Sequence, residues 1–167
     1  MLWGTGTKGG RGYERVMMSA AGEVSGHAQV CDCLFCKIIR GEIPSYKVFE
    51  DAHAYAFLDI NPFGRGHTLV VPKFHAQDLF HLPPEELAGV MPAVQRVATH
   101  LKNRLGCEGM ALLQLNGEVA GQTVFHVHFH LIPRYAGQAA GWAPLAGEAL
   151  ARAKDFGAIL RELGCAQ

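Results

Sequence analysis

Three histidines stand at alternating positions in the segment from Phe125 to Leu131: His126, His128 and His130. Side chains of an extended strand alternate between faces, so these imidazoles share one face at intervals of about 6.5–7 Å. Val127, Phe129 and Leu131 then fall on the other face, where they can pack against a helix. Packing alone does not account for a row of imidazoles backed by a row of apolar residues. An imidazole that titrates near pH 6.5 is a nucleophile or base when neutral and a donor when charged. Two chemistries fit three aligned rings. In one, the middle ring attacks phosphorus while its neighbours handle protons and charge. In the other, the rings bind a catalytic zinc.

A second group of reactive side chains lies upstream. Cys33 and Cys36 form a C-x-x-C pair with Cys31 just before it, while Cys107 and Cys165 stand alone. An odd count without a framework of spacings argues against a disulfide scaffold. A metal site and a redox pair both remain as readings of Cys33 and Cys36. The redox reading requires a βαβ context, which the flanking sequence lacks.

The elements that must position these groups are legible around them. Asp32 is placed to cap a short helix from Cys33 to Arg40, with Gly41 ending it. Tyr46 to Glu50 and Ala54 to Ile60 read as a hairpin turning at Asp51, Ala52 and His53. Asn61 to Gly66 is turn chemistry, and His67 to Val71 is a strand ended by Pro72. Pro83 and Pro84 open a long helix, with Glu85 and Glu86 suited to its dipole. Its apolar residues recur at helical spacing to Leu101, and Pro92 predicts a kink. Met110 to Leu115 is a strand, Asn116 to Gln122 a loop, and Val124 to Ile132 the strand bearing the histidines. Helical character returns from about Leu145 to Leu163. The sum is an α+β fold: an antiparallel sheet of about five strands with helices on one side, among them a long helix and a short N-terminal one.

The chain has 167 residues, enough for one domain with a substantial core, and its formal net charge is zero. Such a balance gives no electrostatic footprint for nucleic acid or a membrane surface. No apolar run approaches the roughly 18 residues of a spanning helix. Residues 1–30 are glycine-rich without periodicity and read as a flexible leader, with Met17 or Met18 as alternative starts. The cytoplasm is the expected compartment. Residues 31–135 form the expected domain, and 136–167 a tail with a helix.

The segment from Asp32 to about Tyr135 resembles the histidine-triad (HIT) family, in its bacterial nucleotide-binding and hydrolase branch. The resemblance rests on Cys33 to Pro44, Ala56 to Ile60, Gly66 to Lys73 with His75, and Gly121 to Arg134, which contains the alternating histidine signature. It implies a HIT-like fold and a nucleotidyl hydrolase or transferase acting at the α-phosphate of purine nucleoside phosphoramidates or dinucleoside polyphosphates. The resemblance assigns the nucleophile to His128, through a nucleotidyl-histidine intermediate, and proton and phosphate contacts to His130. His67 supports the imidazole network. Gln122 and Thr123 are expected at the phosphate or leaving group, with Asn116 on the phosphate side. Asp59 is expected on the ribose, and Phe35, Ile38 and Phe57 around the base.

Zinc-binding members of the family imply a structural Zn2+ held by Cys33, Cys36, His75 and His126. No organic cofactor is expected, and a homodimer is. Trp142, in the tail, is a candidate for shaping leaving-group specificity. Two other readings stand beside this one: a zinc metallohydrolase with the histidine row as ligands, and a purine-nucleotide binder without catalysis.

Overall fold

Five short segments pair into one antiparallel sheet in the order β1-β2-β3-β5-β4. The strands are β1 (Lys47–Glu50), β2 (Ala54–Leu58), β3 (Thr68–Pro72), β4 (Gly109–Leu113) and β5 (Phe129–Arg134). The computed structural model describes residues 31–138 and 145–165. The leader and Trp142 lie outside the described residues. Among the described residues four α-helices accompany the strands: α1 (Leu34–Ile39), α2 (Pro84–Leu105), α3 (Gly147–Ala153) and α4 (Phe156–Leu163). The α+β class, the five antiparallel strands and the long helix are as the sequence predicts.

β2 and β3 are buried along their whole length because both sheet faces are covered. Alternation divides their side chains. Ala54, Ala56, Leu58 and Val70 join Phe129 and Leu131 against α2 and α4. Tyr55, Phe57, Leu69 and Val71 pack instead with Phe35 and Ile38 of α1. The sequence predicts helices on one side of the sheet; the structure corrects this, since α1 covers the opposite face. That face also carries His130, paired in register with Leu69.

α2 follows its sequence signals. It has proline in its first turn, Glu85 and Glu86 beside it, and Gly106 at φ +66° as a left-handed stop. Val90, Ala93, Val94, Val97, Leu101 and Leu105 form its buried stripe. The helix runs unbroken through Pro92, which lies on the exposed side where water can take the carbonyl it releases.

Three further expectations are corrected. Asp32 does not cap α1; Cys33 occupies the cap position without a side-chain bond, and Asp32 pairs with Lys37 at 2.5 Å. The C-terminal helix is two helices, divided at Lys154 and Asp155, where Asp155 accepts from the Ala158 N–H and starts α4. Ile159, Leu160 and Leu163 of α4 enter the main core, and each such burial stabilises by roughly 1.5–3 kcal/mol.

The third correction matters most. β5 starts at Phe129, not Val124, so only His130 lies on a strand. The ladder with β3 ends at Val70 and Phe129. Carrying it further would set the chain opposite Pro72, which has no N–H to donate. The segment before β5 bonds elsewhere: Val127 N–H donates to Ala76 O at 2.8 Å and His126 N–H to Val124 O at 2.9 Å. No helix among the described residues is long and apolar enough to cross a membrane.

Candidate active site and metal centre

Where the ladder stops, the first two histidines turn to different partners. His126 is fully buried, and its Nε2 lies 2.9 Å from Pro72 O. A carbonyl only accepts, so Nε2 carries the proton and Nδ1 is an open lone pair. His128 has the opposite arrangement. Its Nδ1 lies 2.6 Å from His126 O, so Nδ1 carries the proton and Nε2 is the lone pair. Burial holds the pKa of His128 below the ordinary histidine value, which keeps that lone pair at neutral pH.

His130 and His67 form a second pair. The Phe63 N–H donates to His67 Nδ1 at 3.1 Å, which places the His67 proton on Nε2. Nε2 in turn faces His130 Nδ1 at 3.0 Å, so His130 accepts there and keeps its own proton on Nε2. Burial pushes the pKa of each ring down to about 4. Both are neutral at pH 7. Asp59 lies behind His67, with Oδ2 3.6 Å from Nδ1, and its Oδ1 accepts the Asn61 N–H at 2.8 Å. The turn is closed tightly by Gly66. Its φ is +81°, and a Cβ there would fall 2.4 Å from Leu105 Cδ1.

These groups open onto a cavity of about 280 Å³. Phe35, Ile38, Phe57, Asp59, Thr123, His128 and His130 line it, joined by Ile43, Ser45 and Leu69 among others. One wall is apolar, with Phe35 edge-on to Phe57 at 5.5 Å between ring centroids. Phe35 also stands edge-on to His128 at 5.2 Å, so α1 braces the ring it faces. The arrangement offers an apolar slot, a carboxylate, and an unprotonated imidazole nitrogen next to a donor imidazole.

Two expected residues lie elsewhere. Gln122 is buried and ties the loop: its Oε1 accepts from Gly117 N–H, and its Nε2 donates to Gln77 O and Val124 O. Asn116 accepts from the Leu79 N–H and exchanges two bonds with the Gln114 amide. Neither lines the cavity. Leu69 is a cavity residue beyond those expected, although strand alternation from His67 places it on the histidine face. Ile43 and Ser45 come from an irregular connection with no periodicity to reveal them.

The thiols converge beside His126. Its Nδ1 lies 3.6 Å from both Cys33 Sγ and Cys36 Sγ and 3.3 Å from His75 Nδ1, and His75 Nδ1 lies 3.4 Å from Cys36 Sγ. Tetrahedral zinc with bonds near 2.0 Å to nitrogen and 2.3 Å to sulfur puts its ligand atoms roughly 3.3–3.7 Å apart. The donor set fits zinc in chemistry and in spacing. Burial pushes the Cys36 thiol up to about 12, with Cys31 and Cys33 adding to the rise. A metal in this position would displace that proton. The histidine row does not converge on one point, because His126 faces the thiols and His128 faces the cavity.

Comparison with known proteins agrees with this geometry. The HIT domain model matches residues 40–137. A HIT-like protein of Methanocaldococcus jannaschii is 53% identical over 105 residues, covering 63% of this chain and 81% of that one. An adenosine 5'-monophosphoramidase of Saccharomyces cerevisiae is 46% identical over 113 residues, covering 66% and 69%. A zinc-bound histidine triad family protein from Mycobacterium smegmatis superposes with a TM-score of 0.64 at 37% identity, covering 81% of this chain and 98% of that one. The order of the motifs, the five-stranded sheet and the paired imidazoles have one source: the chain belongs to the HIT family.

Proposed function

We propose that this protein hydrolyses purine nucleoside phosphoramidates, or transfers their nucleotidyl group, through a covalent bond between the α-phosphorus and His128 Nε2. The observation that carries this reading is the His128 ring. Its Nδ1 proton is fixed on His126 O, which leaves Nε2 unprotonated on the wall of the cavity. Relatives named adenosine 5'-monophosphoramidase support the substrate class.

The remaining residues take roles their positions allow. The base lies in the slot between Phe35, Ile38 and Phe57, and Asp59 accepts from the ribose hydroxyls. The phosphate sits against His130 and Thr123. Its negative charge favours one more proton on the His67–His130 pair, taken on His67 Nδ1 opposite Asp59, so that His130 keeps its Nε2 proton toward the phosphate. In the first step a bond forms from His128 Nε2 to phosphorus, the phosphorus–nitrogen bond breaks, the amine leaves with the His130 Nε2 proton, and His130 Nδ1 takes the proton of His67 Nε2. In the second, water attacks phosphorus, the bond to His128 breaks, and the water's proton returns to His130. His67 holds His130 in the tautomer this exchange requires. Dinucleoside polyphosphates enter the same scheme with a phosphate as leaving group.

Zinc would be held by Cys33, Cys36, His75 and His126. Four protein ligands leave no open position, so it supplies a cross-link between α1 and the His128 segment rather than an activated water. A homodimer belongs to the same reading. β4 is an edge strand with Leu112 48% exposed, an edge a second copy would cover. Sedimentation of the pure protein as a monomer would overturn it. Free cysteines suit a reducing compartment such as the cytoplasm.

The test is turnover of adenosine 5'-phosphoramidate by the wild type and by His128→Ala, with mass spectrometry of the quenched enzyme. Wild-type turnover with a nucleotidyl adduct on the His128 peptide is expected, and the alanine variant should lose at least about a thousandfold. Substantial turnover by the variant would remove His128 as nucleophile. An inactive wild type would favour a nucleotide binder without catalysis.

A further inference from the structure

A fifth donor stands beside the four proposed for zinc. Cys31 Sγ belongs to a set with Cys33, Cys36 and His75 whose ligand atoms all lie within 4.8 Å of one another, a set that leaves out His126. Cys33, Cys36 and His75 are thus common to two four-donor groups, completed by His126 from the buried side or by Cys31 from the other. Cys31 is held in place. Arg40 donates to its carbonyl at 3.3 Å, and Asp32 next to it pairs with Lys37 at 2.5 Å, so this stretch lies along α1.

We propose that Cys31 is a reserve ligand that takes the fourth position on zinc when His126 leaves it. The inference rests on the zinc reading above. In the exchange the bond from His126 Nδ1 to zinc breaks, a bond from Cys31 Sγ forms, and the thiol proton passes to water. The metal then stays with α1 as a Cys3His site, and the first histidine of the row is released from it. The His126 bond to Pro72 O uses Nε2 and not Nδ1, so the exchange does not require it to break. Metal retention is thereby separated from the histidine whose carbonyl orients His128.

The test uses the full chain as wild type, Cys31→Ser, His126→Ala and the double variant, loaded with zinc or cobalt(II). The wild type and both single variants should hold one metal per chain. The double variant should lose affinity about 100-fold or more against either single one in chelator competition. Thiolate-to-cobalt absorption scales with thiolate number, so His126→Ala should exceed the wild type about 1.5-fold. Equal affinity of His126→Ala and the double variant, or unchanged absorption in His126→Ala, overturns the proposal. Should His126→Ala fail to fold, zinc release from the wild type and Cys31→Ser decides. A reserve ligand slows release in the wild type, and equal rates overturn it. A wild type that binds no metal overturns the zinc reading and this inference together, whereas loss confined to His126→Ala overturns only this inference.

Discussion

Replacing Gln122 by alanine removes three hydrogen bonds at once from the loop that leads into the histidine segment. The amide takes the Gly117 N–H at 2.7 Å and gives to Gln77 O at 2.6 Å and Val124 O at 3.1 Å. It thereby joins the loop after β4, the loop after β3, and the residue two positions before His126. Each bond contributes about 1 kcal/mol net, so their loss comes to about 3 kcal/mol. For a domain of this size that lowers Tm by roughly 10 °C. Gln122→Glu should be at least as damaging, because a carboxylate would face two carbonyl oxygens with no proton to offer. The assay is thermal and urea denaturation of both variants, followed by kcat and KM on the surviving folded protein below its transition. The expected result is a large stability loss, with kcat falling as the His128 segment loosens. A near wild-type Tm with a raised KM would refute this account and return Gln122 to the phosphate, where the sequence had placed it.

Two further predictions concern acid and metal. In the unfolded chain His67 and His130 take a proton near pH 6.5, whereas in the fold neither does so until about pH 4. The unfolded state binds more protons in that window, so stability present at neutral pH is lost as the pH falls from 6.5 to 4, on the order of 2 kcal/mol for His67. Urea midpoints between pH 7 and 4.5 measure it, and a His67→Phe variant should show a shallower decline; identical slopes would contradict the assignment. With zinc on the four donors as proposed, chelation should lower Tm by several degrees while folded protein retains turnover at 25 °C. Turnover lost without any change in Tm would make the metal catalytic.

Much of the scaffold was readable because local chemistry and tertiary demand agree. The long helix carries proline at its start, acids in its first turn, an apolar stripe and a glycine stop, and all of these act in α2. The hairpin at Asp51 is equally local, with its carboxylate accepting the N–H groups of His53 and Ala54. What misled was long-range. Asp32 is the local exception, its carboxylate taken by Lys37 five residues on. Gln122 in a glycine-rich loop looks like a phosphate contact, and only the fold shows three backbone partners around it. The apolar face of α4 reads as a tail helix until α2 and Val48 are seen to lack cover without it.

The histidine row is the sharpest case, because alternation there is both informative and misleading. On a continuous strand neighbouring rings would stand about 6.5–7 Å apart along one face, with equivalent surroundings. In the fold the His128 and His130 rings are 4.9 Å apart, and His126 points into the thiols. The difference traces to Pro72. It has no N–H to extend the ladder, and its carbonyl takes the His126 Nε2 proton. That bond fixes Nδ1 as the nitrogen facing Cys33, Cys36 and His75. With His126 so anchored, its own carbonyl is available for the Nδ1 proton of His128, which fixes Nε2 as the nitrogen without a proton. The backbone at Pro72 thus sets two tautomers in succession, and the row is divided between an open nitrogen facing the thiols and another, two residues on, facing the cavity.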